Sequence, residues 1–153
     1  MLNIVLLEPE IPPNTGNIAR TCAATGTRLH LIEPLGFELS DRTLKRAGLD
    51  YWQQLDWTVY RDLEDFRAQN PQARPWMLST KGRVSHAEAR FEDGDYLMFG
   101  RETKGLPAAL LDTDPRRVLR IPMLPDTRSL NLSNSAAVVL FEALRQLDFP
   151  GLK

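Results

Sequence analysis

The feature that most constrains the fold is the regular alternation of short apolar runs with segments of helical spacing. Short apolar runs bounded by turn residues are typical of strands buried on both faces of a sheet. Strands that alternate with helices favour right-handed crossovers, which build a mainly parallel sheet with helices on both faces. We therefore predict an α/β fold and, since the chain has 153 residues, a single domain over residues 1–153. The predicted strands are residues 2–7, 28–32, 57–60, 75–80, 95–100 and 117–121, and the polar residues 81–94 are predicted to be mostly loop.

Capping and stop residues mark four of the predicted helices. The first covers the sequence NTGNIARTCAATG and ends at Gly26, because glycine readily adopts the left-handed conformation that closes a helix. The second is capped by Ser40 and extends to Ala47. The third extends from Asp62 to Gln69, and a short helix begins at Pro107.

The last predicted helix, from about Ser133 to Leu147, is apolar on most of its sides. A helix that is apolar all round is buried all round. In so small a domain a second subunit can supply the extra cover, so we expect a homodimer. The alternative is a helix enclosed wholly within its own domain.

Composition excludes several classes of protein. No apolar run is long enough to span a bilayer and no signal-peptide pattern begins the chain, so we expect a cytoplasmic protein with no membrane partner. Cys22 is the only cysteine, which excludes an intrachain disulfide and a cysteine zinc site. A net charge of −1 excludes binding to nucleic acid by bulk attraction, so any RNA contact must be local. Basic residues cluster at Arg42, Lys45 and Arg46, at Lys81 and Arg83, at Arg101 and Lys104, and at Arg116, Arg117 and Arg120.

Familiar catalytic motifs are missing. The loop FGRETKGLP has the glycine spacing of a phosphate-binding loop, but Leu106 and Pro107 replace the lysine and the hydroxyl residue that such a loop needs. No GxGxxG follows the first strand, and neither HExxH nor GxSxG occurs. His30 falls within a predicted strand, where we expect a structural role. These patterns argue against nucleotide hydrolases, dehydrogenases, metalloproteases and serine hydrolases.

The candidate site lies in the loops after the first, fifth and sixth predicted strands, because parallel α/β sheets bind ligands at the carboxyl ends of their strands. The third of these loops places Ser129, Asn131, Ser133 and Asn134 at the start of an apolar helix. Unpaired N–H groups and the helix dipole make that position suitable for an anionic or hydroxyl-rich ligand. The alternative is a helix cap, which needs only one of the four residues.

Three motifs, NTGNIAR, FGRETKGLP and IPMLPDTRSLNLSNSAA, resemble in order and spacing those of the SpoU-like branch of the SPOUT methyltransferases. The resemblance covers essentially the whole chain and is strongest to the single-domain tRNA (cytidine/uridine) 2′-O-methyltransferases that act at the wobble nucleotide 34. It implies a C-terminal trefoil knot, S-adenosylmethionine as methyl donor, no metal, and tRNA as substrate. Two other functions stay open: a SPOUT-like RNA-binding protein without activity, and a 2′-O-methyltransferase acting on another RNA position.

The resemblance also implies roles for particular residues. Arg20 matches the arginine assigned to the RNA ribose and phosphate, and because guanidinium stays protonated we favour clamping and orienting over general-base action. Asn131 is expected to orient the loop or the ribose, so Arg20 and Asn131 are the predicted catalytic residues. The predicted RNA contacts are Asn14, Asn17, Arg20 and Arg128. The predicted donor-binding residues are Leu78, Thr80, Gly100, Glu102, Ile121, Met123, Ser129 and Leu130, with Gly100 letting the backbone approach the ligand and Ile121 and Leu130 covering the adenine.

Overall fold

A seven-stranded sheet forms the centre of the protein, for which the computed structural model describes residues 1–40 and 53–153. Every strand pairing among the described residues is parallel, which confirms the predicted mainly parallel α/β sheet. The strands lie in the order β3-β2-β1-β6-β4-β7-β5. Their bounds are β1 Asn3–Leu7, β2 Arg28–Ile32, β3 Trp57–Tyr60, β4 Trp76–Leu78, β5 Val84–Ser85, β6 Tyr96–Phe99 and β7 Val118–Arg120.

One strand was not expected. β5 lies within the segment predicted to be mostly loop, and it pairs with β7 at the edge of the sheet, with Val84 opposite Leu119 and Ser85 opposite Arg120. A strand of two residues is too short to show a period of two in the sequence. The prediction of loop was therefore wrong at these two positions.

The helices begin and end close to the predicted signals. The first begins two residues earlier than Asn14, because prolines occupy its first two positions, where their fixed φ suits a helix and their missing N–H costs nothing. It ends, as predicted, at Gly26, whose φ is 67°. The helix predicted for Ser40–Ala47 extends into residues 41–52, which lie outside the described residues. The described α-helices are α1 Pro12–Thr25, α2 Leu63–Gln69, α3 Ala108–Leu111 and α4 Leu132–Gln146, and a 3-10 turn spans Pro115–Arg117.

Two apolar clusters cover the two faces of the sheet. Along β1, Ile4 and Leu6 belong to the cluster that includes α1 and α4 residues, whereas Val5 and Leu7 belong to the cluster with α2 and α3 residues. Successive side chains of a strand point to opposite faces, so the two clusters lie on opposite sides of the sheet. Helices therefore cover both faces, as predicted.

His30 is buried in the sheet with both ring nitrogens hydrogen-bonded. Its Nε2 lies 2.9 Å from Oδ1 of Asn3, and its Nδ1 lies 2.8 Å from the hydroxyl of Tyr60. The amide nitrogen of Asn3 donates to the carbonyl of Gly94, so its Oδ1 faces the imidazole as an acceptor. The neutral ring with its hydrogen on Nε2 satisfies this arrangement, because Tyr60 can then donate to Nδ1 while accepting from Asn70.

Candidate active site

A cavity of about 440 Å³ lies where the loops after β1, β4, β6 and β7 meet. Its lining combines apolar side chains with polar groups from these loops, a composition typical of small-molecule sites. Arg20, Asn17 and Arg128 are exposed and do not line it, whereas Asn14 and Asn131 do. All eight predicted donor-binding residues line the cavity: Leu78, Thr80, Gly100, Glu102, Ile121, Met123, Ser129 and Leu130.

The loop after β6 folds back on itself at Gly100. A β-carbon at this position would collide with the carbonyl carbon of Gly105 and the amide nitrogen of Leu106. Gly105 closes the turn with a φ of 64° and donates its N–H to the carbonyl of Arg101 at 2.8 Å. Gly100 therefore makes room for the backbone of its own loop, and it also lines the cavity, so its predicted approach to a ligand stays a prediction.

Two acidic residues after β1 bind the loop after β6. Glu8 forms a 2.8 Å ion pair with Arg101, and it does so from a left-handed backbone conformation with a φ of 54°. The Glu10 carboxylate accepts a 2.7 Å hydrogen bond from the hydroxyl of Thr103, and this bond is the largest cause that holds the pKa of Glu10 below its usual range. Neither acidic residue was predicted as part of the site, since a glutamate in a loop carries no local signal of its partner.

Glu102 lines the cavity, yet its carboxylate faces the start of α1. One carboxylate oxygen accepts from the backbone N–H of Glu10 at 2.8 Å. The other accepts from the backbone N–H of Ile11 at 3.1 Å and from the side-chain amide of Asn14 at 3.4 Å. α1 has no acidic residue in its own first turn, so Glu102 supplies negative charge beside the positive end of that helix.

Asn131 is the N-cap of α4 and also connects this helix to α1. Its Oδ1 accepts from the backbone N–H groups of Ser133 and Asn134 at 2.9 and 3.3 Å, and from the Ser133 hydroxyl. Its amide nitrogen donates to Oδ1 of Asn14 at 3.0 Å. Asn131 therefore both caps the helix and lines the cavity, and Ser129 lines the cavity as well.

Of the predicted RNA contacts, Asn14 is buried and lines the cavity, and the other three are exposed on α1 and on the loop after β7. Asn17 and Arg20 lie on the exposed side of α1, one turn apart, while the opposite side of that helix is buried. Arg128 is exposed in the loop that follows β7. Three cations from the predicted basic clusters, Lys81, Arg101 and Lys104, line the cavity itself. Positive charge thus lies both at the cavity and on the neighbouring surface.

Two absences hold within residues 1–40 and 53–153. No three side chains of histidine, cysteine, aspartate or glutamate come close enough together to hold a metal ion. None of the helices described there is both long and apolar enough to cross a membrane.

The chain is similar to known RNA methyltransferases. Residues 1–141 match the model of the SpoU rRNA Methylase family. Over 153 aligned residues the chain is 58% identical to a tRNA (cytidine(34)-2'-O)-methyltransferase of Escherichia coli strain K12, with 99% of this chain and 97% of the relative covered. A solved structure that concerns the 2-OH methylation of C/U34 on tRNA has a TM-score of 0.90 and 50% identity, with 97% of each chain covered.

A more distant structural neighbour was solved with a ligand. It is the AdoMet-bound rRNA methyltransferase of Sinorhizobium meliloti, with a TM-score of 0.81 and 27% identity. The match covers 95% of this chain and 56% of that one.

Proposed function

The chain belongs to the SpoU rRNA Methylase family, and from this premise we propose that it methylates the ribose 2′-hydroxyl of nucleotide 34, a cytidine or uridine, in tRNA with S-adenosylmethionine as methyl donor. The observation that carries this proposal is 58% identity over nearly the full length of a tRNA (cytidine(34)-2'-O)-methyltransferase. The similarity to the structure concerned with C/U34 methylation, at 50% identity, supports the same nucleotide.

The residues around the cavity fit the proposed donor. A volume of about 440 Å³ falls within the range of small-molecule sites. Leu78, Ile121 and Leu130 offer apolar surface for an adenine ring, and Ser129 and Thr80 offer hydroxyl groups for its polar atoms. When bound, the donor supplies a methyl group on a positively charged sulfur, and an oxygen nucleophile can take up this methyl group without the help of a metal.

The chain's own task is to hold the ribose in line with that methyl group. Alignment of two reactants lowers the barrier to the reaction, so a cation that holds the RNA phosphate in place is an effective catalyst. We assign this positioning to Arg20, whose guanidinium stays charged and can hold an RNA phosphate in two hydrogen bonds. We assign Asn17 on α1 and Arg128 after β7, which are also exposed, to RNA binding, and Lys81 and Lys104 bring positive charge to the cavity.

A second subunit is part of the proposal. α4 buries one side within its own subunit, yet Val138 and Phe141 on its other side are 43% and 47% exposed. These two residues lie one turn apart and form an apolar strip that a second copy can cover. We assign this strip to a homodimer interface.

We also propose a single domain, a cytoplasmic enzyme and a C-terminal trefoil knot. A structural similarity of TM-score 0.90 to a protein concerned with C/U34 methylation supports the fold. Pulling both ends of the chain apart with optical tweezers tests the knot, since a tightened knot leaves the unfolded chain shorter than its contour length.

One assay tests the function. The purified protein is incubated with labelled S-adenosylmethionine and tRNA from cells that lack the modification, and the labelled nucleotide is then mapped. We expect label on the 2′-oxygen of nucleotide 34. Label at another nucleotide would show that the protein carries out the same chemistry at a different position of the RNA. Binding of tRNA without any methyl transfer would favour the inactive RNA-binding alternative.

A further inference from the structure

We propose that Glu102 is a positioning residue that fixes the direction of a chain of hydrogen bonds through Asn14 and Asn131, and that this chain holds the three loops around the cavity. The inference rests on the proposed function, since it takes the methyl donor as the occupant of the cavity. It assigns Glu102 no contact with the donor, although Glu102 lines the cavity.

The direction of the hydrogen bonds is constrained at both ends of the chain, and one of these ends is α4. Backbone N–H groups can only donate, and those of Ser133 and Asn134 point at Asn131. The oxygen of the Asn131 amide must therefore face α4, and its nitrogen must face Asn14. The oxygen of the Asn14 amide accepts this bond, which turns the Asn14 nitrogen toward Glu102.

At the other end, Glu102 meets donors only. The N–H groups of Glu10 and Ile11 and the amide nitrogen of Asn14 all point at its two oxygens. A carboxylate accepts on both oxygens, whereas a glutamine would turn an NH₂ group toward one of these donors. Pro12 and Pro13 follow directly and have no N–H, so the contacts of Glu102 with residues 10 and 11 secure the entry into α1.

The hydrogen bonds of Glu102 determine what this residue can do at the cavity. Among the described residues that line it, Glu102 is the single carboxylate, and it already accepts three hydrogen bonds. Acting as a proton acceptor or as a donor ligand would require breaking them. Through Asn14, Glu102 instead holds Asn131, whose neighbours Ser129 and Leu130 line the cavity. Donor affinity should then depend on the pairing of donors and acceptors along the chain.

A charge-swap cycle tests this inference by measuring the dissociation constant of S-adenosylmethionine by calorimetry. Asn14→Asp places a carboxylate within 3.4 Å of Glu102, where like charges repel, so we expect affinity to fall at least tenfold. Glu102→Gln removes the charge and should weaken binding several-fold. In the double variant the new amide at position 102 can donate to the new carboxylate at position 14, and that carboxylate can still accept from Asn131.

We expect the double variant to bind at least tenfold more tightly than the product of the two single effects predicts, which corresponds to about 1.4 kcal/mol of coupling. Single effects that multiply to within twofold would overturn the inference. So would a complete loss of binding in Glu102→Gln that Asn14→Asp does not restore, since this is the behaviour of a direct donor ligand. If the wild-type protein bound no donor, the proposed function itself would fail.

Two further variants serve as a control and as a replacement in this test. Glu64→Gln makes the same chemical change on the exposed surface of α2 and should leave the dissociation constant unchanged. If Asn14→Asp does not give a cooperative thermal transition, Asn14→Ala replaces it in the cycle. Asn14→Ala breaks the same chain without adding charge, so its effect and that of Glu102→Gln should combine to less than their product.

Discussion

The stability of the protein should decrease between pH 6.5 and pH 4 because His30 must stay neutral in the folded state. Burial, followed by the nearby charge of Arg28, lowers the pKa of His30 from 6.5 to about 4. A proton on Nδ1 would also confront the hydroxyl of Tyr60, which would have to turn its own hydrogen away while keeping its bond from Asn70. The unfolded chain, by contrast, takes up a proton near pH 6.5.

The size of the effect follows from the difference in pKa. Below pH 6.5 His30 is protonated in the unfolded protein but stays neutral in the folded protein. The free energy of unfolding therefore falls as the pH falls. A shift from 6.5 to about 4 corresponds to roughly 3 kcal/mol in full, of which about 2 kcal/mol is lost by pH 5. Below pH 4 both states are protonated and this contribution changes no further.

The carboxylate of Glu142 titrates in a lower range. Hydrogen bonds from Arg145 and Gln146 lower the pKa of Glu142 to about 2. The contribution of Glu142 to the stability of the fold is therefore fully present above pH 4.5 and is lost as the pH falls toward 2. The interval from pH 6.5 to 5 therefore tests His30 with little contribution from this carboxylate.

Urea unfolding at pH 7.5, 6.5, 5.5 and 5.0 measures the effect, with His30→Gln as the matched variant that cannot titrate. We expect His30→Gln to be less stable than the wild type at pH 7.5, because it fits the two partners of His30 less well. Its free energy of unfolding should change much less between pH 6.5 and 5 than that of the wild type. Parallel curves for the two proteins over this interval would refute the reasoning.

Three other changes test the site and the interface. Arg20→Ala should leave the donor dissociation constant within about threefold and reduce methyl transfer at least a hundredfold, which is about 3 kcal/mol; unchanged transfer to tRNA would remove Arg20 from the mechanism. Gly100→Ala should lower the free energy of unfolding by about 2 kcal/mol or more, because its methyl group meets backbone, and a thermal midpoint equal to that of the wild type would contradict the described turn. Phe141→Ser should shift the protein from dimer to monomer in light scattering, whereas Phe141→Tyr should remain a dimer; a monomeric wild type would refute the proposed interface.

Much of the fold could be predicted from the sequence because its signals are local. Buried strands such as Asn3–Leu7 and Arg28–Ile32 are mostly apolar runs, and Gly26 ends α1 through its own conformation. The order of the strands in the sheet could not be predicted from such local signals. β1 lies between β2 and β6, and nothing within residues 3–7 or 96–99 specifies that pairing, because it depends on contacts between distant parts of the chain.

The candidate site, too, has a part that could be predicted from the sequence and a part that could not. Residue types at the ends of strands predicted which loops would meet, and all eight predicted donor-binding residues line the cavity, although their binding roles stay predictions. What the sequence could not show is how those loops are held together. Glu102 bonds to Ile11, 91 positions away, and Asn131 bonds to Asn14, 117 positions away. The sequence predicted Glu102, Asn14 and Asn131 as site residues, but it gave no sign that they bond to one another.

The contacts between the first two loops have a simple geometric origin in the sheet. β1 and β6 are neighbours in parallel register, with Leu6 opposite Phe99 at a separation of 93 positions. Glu8 pairs with Arg101, and Glu10 pairs with Thr103, at the same separation. The register of the strands therefore continues into the loops, so that one set of backbone hydrogen bonds determines which polar side chains meet beyond the end of the sheet. A site built in this way depends on the length of each loop as strictly as on its residue types, which explains why the ordered and spaced motifs identify this chain better than any single residue.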